Sequence, residues 1–578
     1  MAKNIYICSK DELPASIGSR LFEICKRLEP DNINPRKPEI YINGHIAYGI
    51  MNPTHTIQAK GDSLLMGVMY EENEKWDIPL EEFPDGSYAL FRDGAKCCEI
   101  VTDATASRTI WYYQDDTIFV SSTSQRAIVM FLGSFKFNDK VIPWMLSAGS
   151  LGPQFSWDKR IRRVPADSSV ILNKSNWTTS IKSNRIEFKA VKRSDEQHEQ
   201  LLYDSIRKTF RSLNLDYTRW VLPLSGGYDS RGILCFLKDT QSNLKKLKTI
   251  TWGLKQSQGL KGNDAYVASE LARELNVEHN YYLTDISTEP FDRIINRFVM
   301  LGEGRTDNLK GYMDGFKVWK SIYEDGVEGI IRGDEGFGCN HYTSSTIVRI
   351  NEGCALCTDF SNLEDFQDYG LSAQELPEYL KQKKRESLIA WKDRLFHEHA
   401  LPTEFAALSD LKLSFVEVIN PLLSKTILEQ VRQLPGHLRE GKTLFKKIVI
   451  ALSPDIDFAE TEATASSSNI LKQNHFATFL KNELNHADVR KVLPDDFIKL
   501  ISGKIKSEDA NNKNKHNPIS PRSILKKIIP QFVKESLHSN FILPATDDNV
   551  LAFRILLISR MNKLLQEDSH LLNTIPEN

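Results

Sequence analysis

Six consecutive residues carry the densest chemistry in this sequence: Ser225-Gly226-Gly227-Tyr228-Asp229-Ser230. Two adjacent glycines let a backbone close on an anion with no Cβ in the way. The serines add hydroxyl donors, and Asp229 offers a hard carboxylate oxygen suited to Mg²⁺. The apolar run Trp220 to Leu224 reads as a short buried strand before them, and Gly232 to Leu237 continue as a helix after them. Strand, glycine turn and helix start bring backbone N–H groups and a positive dipole end to one point, which is a phosphate site. The Gly-x-x-x-x-Gly-Lys pattern of the lysine-bearing phosphate loop is absent. A glycine turn that merely happens to hold Ser and Asp is the duller alternative, and six matched positions in that setting weigh against it.

A second cluster is Gly329-Ile330-Ile331-Arg332-Gly333-Asp334-Glu335-Gly336-Phe337-Gly338. A buried strand ending in glycine and two carboxylates suits a second Mg²⁺ ligand facing Asp229, and Asp334 is the choice over a solvated acidic turn. Gly302 to Asp307 is a polar, glycine-rich loop that serves either a substrate or only the chain connection. Cys339, His341, Cys354 and Cys357 could hold tetrahedral zinc, but their spacing fits no standard finger, so unpaired buried thiols are the expectation.

These residues need a scaffold. After the glycine loop, Leu247–Gly253 reads as a strand, Asn263–Leu275 as an amphipathic helix and Asn280–Leu283 as another strand. Such alternation predicts a parallel, doubly wound sheet whose ligands sit at the carboxyl ends of its strands. Residues 194–213 predict the helix that opens this part. Beyond residue 340 the pattern becomes helical. Ser507–Asn517 reads as a polar mobile insertion, and Asn549–Leu565 as a final core helix. From Ile5 to about Phe188 the sequence is strand-like instead, with segments at Ser63–Tyr70, Ser87–Arg92, Cys98–Thr102, Thr109–Tyr113 and Ile118–Ser121. Helices are expected at Pro14–Glu29 and Ser124–Leu132.

At 578 residues the chain predicts two or three domains. Hydrophobic and charged fractions of 41% and 26% are those of an ordinary globular protein. A net charge of −2 gives no reason to expect nucleic acid or membrane as a partner. No apolar run reaches the roughly 18 residues that span a bilayer. The start lacks a secretion signal, and eight cysteines are no disulfide framework, so a cytoplasmic setting is expected.

The Ser-Gly-Gly-x-Asp-Ser pattern resembles the pyrophosphate loop of ATP pyrophosphatases, specifically their asparagine synthetase-like branch. The Gly329–Gly338 block looks like that family's second acidic segment, shortened before Asp-Glu. Glu417–Ser424 resembles its Glu-x-Arg-x-Pro-Phe-Leu-Asp turn, with Ile419 and Ser424 at the Arg and Asp positions. The resemblance implies ATP held by Leu224, Ser225, Gly226, Gly227, Asp229, Ser230, Thr251 and Gly333. It implies Mg²⁺ on Asp229 and Asp334, and catalysis by Asp229, Asp334, Glu335 and Lys446. A related Arg-x-Lys-x-Gly segment carries a lysine aimed at the adenylate; Ala459 to Ser468 holds none, so either the substrate-side chemistry differs from asparagine synthesis or another cation such as Arg332 or Lys446 takes over.

The first half looks like the glutaminase domain of the same family, through Asp85–Leu90, Asp103–Arg108, Trp111–Tyr113 and Phe119–Ser122. Together the two halves imply an α/β protein. Residues 1–190 would be an Ntn-hydrolase-like αββα layered domain, and 191–578 a pyrophosphate-loop sheet with a helical C-terminal part. A glutaminase of this type needs cysteine first after methionine removal, and Ala2 stands there. Glu71 stands where an oxyanion asparagine belongs. Cys8 could serve only after loss of a seven-residue leader. The domain is therefore expected to be an inactive scaffold.

The expected activity is an AMP-forming amide ligase using ATP and Mg²⁺. It would activate a small-molecule, peptide or sugar carboxylate for attack by ammonia or a substrate amine, as β-lactam synthetases and lasso-peptide cyclases do. A homodimer is one assembly open to it. The rival readings are a non-catalytic nucleotide- or partner-binding relative and ammonia-dependent asparagine synthesis.

Overall fold

Short apolar segments in the first half pair into two six-stranded antiparallel sheets in the computed structural model, which describes residues 3–241, 244, 246–338, 340–508 and 543–574. The five strands named from sequence form at Ser63–Met69, Gly86–Asp93, Cys97–Thr102, Trp111–Gln114 and Ile118–Ser122. Both helices form too, at Ile17–Arg27 and Gln125–Leu132, the latter capped by Ser124. Side-chain alternation along Asn4–Ser9 shows how the layers arise. Tyr6 and Cys8 face the second sheet and pack with Met66, Phe91 and Cys98. Ile5 and Ile7 face outward, against Leu21 and Ile24 of one helix and Ala127 and Ile128 of the other. Trp76 packs against Tyr88 and Leu90 of the second sheet, with Phe83 beside them.

The second half is built on five parallel strands: β1 (Trp220–Pro223), β2 (Lys248–Gly253), β3 (Glu278–Leu283), β4 (Gly329–Ile331) and β5 (Glu417–Ile419). Their spatial order is β3-β2-β1-β4-β5. The order reverses between β1 and β4, so the crevice for a ligand lies beyond the carboxyl ends of those two strands. The leading helix is Asp195–Ser212, with a capping box between Ser194 and Gln197. The final helix, Asp548–Ser569, is a buried 22-residue core element as expected. Of the insertion read at Ser507–Asn517, residues 509–517 lie outside the described residues.

One apolar cluster runs from Ile5 to Leu565 and so joins both halves. Buried ion pairs cross the same junction: Lys3 with Glu303 at 2.8 Å, Arg126 with Asp568 at 2.6 Å, and Arg108 with Glu417. The 302–307 loop is consumed here. Glu303 also accepts from Ser124 and from the Gln125 amide at the start of a helix, while Arg305 pairs with Asp410. Ser424 likewise serves the junction, donating to Asp85, whose carboxylate accepts the Lys425 amide at 2.8 Å. No described helix is long and apolar enough to cross a membrane.

Candidate functional site

β1 ends where apolar burial ends, and Leu224 to Gly227 turn into the helix Tyr228–Thr240 with Gly227 as its N-cap. The turn is tied by its own hydroxyls. Ser225 N–H donates to Ser230 Oγ at 2.9 Å, and Gly227 N–H donates to Ser225 Oγ at 3.2 Å. Gly226 N–H donates to an Asp264 carboxylate oxygen at 3.1 Å. Thr251, on β2, donates to the Leu224 carbonyl and fixes the strand end. A Cβ on Gly226 would fall 2.4 Å from that of Ala459, so glycine is required there by a chain crossing.

The loop after β4 meets this one. Gly333 lies against it: a Cβ there would sit 3.2 Å from Ser230 N and 3.4 Å from Asp229 Cβ. Asp229, Asp334 and Glu335 are thereby gathered, and Lys442 enters among them. Its ammonium lies 2.9 Å from Asp229 and 2.8 Å from Glu335. Burial works against the Lys442 charge, but Glu335 and Asp229 outweigh it and hold its pKa above the usual lysine value. Burial pushes Glu335 up to about 7 despite Lys442, and raises Asp334 against the pull of Arg332. Arg332 lies 3.1 Å from one Asp334 oxygen, and the other oxygen is buried with no hydrogen-bond partner. A cation already drawn to the carboxylates, and an orphaned carboxylate oxygen beside it, make this cluster fit for a divalent metal.

Two cavities meet at the cluster. One, of about 290 Å³, runs from Ser225 and Ser230 to Thr251, Trp252 and Lys310. The other, of about 350 Å³, extends past Glu335 and Lys442 to Lys446, Phe396 and Phe405. Both are bordered by Asp229, Gly333 and Asp334. Every site residue named from sequence borders one of these cavities except Gly226 and Gly227, which form the turn beneath the first. Lys446 does not join the carboxylates; its ammonium lies 5.1 Å from the Tyr228 ring centre.

Sequence reasoning passed over Lys442 in favour of Lys446, and missed Asp264, Lys310, Glu462 and Lys412. Lys442 was legible as the other member of an i, i+4 pair. The rest were not, because each reaches the site from a distant segment. Residues 459–463, which lack the expected lysine, roof the first cavity through bonds from Ala459 N–H to the Gly226 carbonyl and from Leu254 N–H to the Ala463 carbonyl. Glu462 pairs there with Lys310. Lys412 is buried, and burial together with Arg332 lowers its pKa well below the usual value.

The zinc set does not form among the described residues. His341 is exposed and pairs with Glu440, Cys354 packs with Trp144 and Trp391, and the Cys357 thiol donates to the Pro143 carbonyl. Cys339 lies outside the described residues. Cys8 is fully buried between the sheets, and Glu71 pairs with Lys208 at 2.9 Å.

Residues 199–308 match the family model described as asparagine synthase. No curated protein matches the sequence. Among solved structures, one match is the glutamine phosphoribosylpyrophosphate amidotransferase of B. subtilis complexed with ADP and GMP. Identity there is 9% over 48% of this chain and 65% of that one, slightly under two thirds of its length, with a TM-score of 0.19. Another, titled as the allosteric regulatory enzyme of purine biosynthesis, gives 9% identity over 49% and 81%, with a TM-score of 0.20.

Proposed function

We propose that this chain, with its asparagine synthase segment at 199–308, is an AMP-forming amide ligase. The observation that carries the reading is the meeting of the Ser225–Ser230 turn with Asp334 and Glu335 at the point where the strand order reverses. ATP is read into the first cavity, its base against Ile250 and Trp252 and its phosphates toward Ser225 and Ser230. A substrate carboxylate oxygen attacks the α-phosphorus, the bond to the β-phosphate oxygen breaks, and pyrophosphate leaves. Ammonia or a substrate amine then attacks the acyl carbon and AMP departs.

The protein's share is positioning and charge neutralisation. Mg²⁺, held by Asp229 and Asp334, would neutralise charge on the departing pyrophosphate. Lys442, once exchanged off its carboxylates, and Lys446 are the cations for the phosphates and the acid. Glu335 lies beside Lys442 and returns it to place. Residues 1–190 are read as a scaffold without glutaminase chemistry, since Cys8 has no access to solvent, and 191–578 as the synthetase unit.

A non-catalytic nucleotide binder is favoured by one observation: the Gly226 and Gly227 amides are already bonded within the protein. Incubation with Mg²⁺-ATP, a carboxylate panel and ammonium separates the two. The ligase yields AMP and pyrophosphate in step with acid consumed; the binder yields neither.

A further inference from the structure

The second cavity has a wall that charge neutralisation does not explain. Phe396 and Phe405 stand at the two ends of a ten-residue π-helical segment set between the α-helices Leu388–Leu395 and Ala406–Leu413. They are nine positions apart. At 3.6 residues per α-helical turn, nine positions is two and a half turns, which would put the rings on opposite sides. Bonding from i to i+5 widens the turn to a little over four residues, so nine positions come close to two full turns. The rings accordingly meet, edge to face, with centroids 5.5 Å apart at 83°. Both are half-buried and both border the cavity. π-Helical winding is rare and, in its usual single-turn form, frequent at functional sites, and here the winding itself makes the aromatic surface.

The opposite wall holds Asp229, Asp334 and Glu335 with Lys442 and Lys446. Lys442 is committed to two carboxylates. Lys446 has no carboxylate partner among the described residues. The loop serines border the first cavity and not this one. The second space therefore suits the reactant that is not the nucleotide: an anion at the Lys446 end and an apolar body at the phenylalanine end. A compact dicarboxylate would leave the rings facing water and bring a second negative charge beside three carboxylates.

Resting on the ligase reading above, we infer that the acid activated by this protein carries an aromatic group, seated against Phe396 and Phe405. The test is calorimetric titration of the full chain with α,β-methylene-ATP and Mg²⁺, and then with 3-phenylpropanoate, succinate or aspartate. The inference expects 3-phenylpropanoate to bind and the two dicarboxylates to bind at least about tenfold more weakly. Phe396→Ala and Phe405→Ala should each weaken 3-phenylpropanoate by about tenfold or more while nucleotide affinity stays within about twofold. Should either alanine variant lose nucleotide binding as well, Phe396→Leu and Phe405→Leu keep the volume and carry the same expectation at smaller size. Aspartate or succinate binding as tightly as the aryl acid overturns the inference, as does aryl-acid affinity indifferent to both rings. Nucleotide binding without aryl-acid binding counts against this inference alone. Absence of nucleotide binding by the parent protein sinks the ligase reading with it.

Discussion

The Lys442 ammonium lies 3.0 and 2.9 Å from the two oxygens of Asp229, across a sequence separation of 213 residues. Lys442 holds this place from a left-handed backbone conformation, φ 62°, which a lysine adopts only when its surroundings compel it. Carboxylates packed this closely need a positive charge among them.

If Lys442 fills the place of a metal, removing it should expose that place. Lys442→Met is expected to bind Mn²⁺ without nucleotide about tenfold more tightly than the parent, read by electron paramagnetic resonance. Unchanged Mn²⁺ affinity would mean that lysine and metal do not compete.

Lys310 and Glu462 make a second exchangeable pair, this time across the mouth of the first cavity. Glu462 is 62% exposed, so the pair is worth little by itself and yields easily to phosphate. Quenching of Trp252 fluorescence by ATP provides the readout. Glu462→Gln should tighten ATP several-fold by freeing Lys310, and Lys310→Gln should weaken it. Equal affinities in all three proteins would remove Lys310 from the nucleotide site.

Much of this was legible in sequence because it is local. The Ser225–Ser230 turn, the Ser124-capped helix Gln125–Leu132 and the strand at Ser63–Met69 depend on neighbours a few residues away. The π-helical winding at Phe396–Phe405 was not legible, since nothing in ten residues containing Pro402 announces i to i+5 bonding. The dual use of Glu303 was hidden too: a polar loop beside glycine looks like a binding loop until Lys3 and Ser124 arrive from the other half. Lys442 and Lys446 are equally plausible in sequence, and only the fold decides which one meets Asp229.

His399 offers a pH test independent of any substrate. Burial lowers its pKa to about 4, and its Nε2 lies 2.8 Å from the Gly353 carbonyl oxygen. A folded-state pKa below the unfolded value means the stability it contributes is present above about pH 6.5 and is lost as pH falls toward 4. His399→Gln can keep the bond to Gly353 but cannot titrate. The stability advantage of the parent over this variant should therefore shrink by about 2 kcal/mol between pH 7.5 and pH 5 in urea titrations. A pH-independent difference would show that His399 is not held neutral.

Zinc content checks the cysteine reading. Because His341, Cys354 and Cys357 point into separate surroundings, elemental analysis should find well under one zinc per chain. A full equivalent that disappears in Cys354→Ser would require a different arrangement.

The central claim is that Asp229 would hold the Mg²⁺ that neutralises the departing pyrophosphate, and carboxylate-dependent exchange of labelled pyrophosphate into ATP measures it directly. The parent should exchange only when an acid substrate is present. Asp229→Asn keeps the shape and loses the charge, so exchange should fall on the order of a hundredfold or more, whereas Ser230→Ala, losing one neutral donor among several, should cost roughly tenfold. Exchange undiminished in a folded Asp229→Asn protein would contradict the role assigned to this loop.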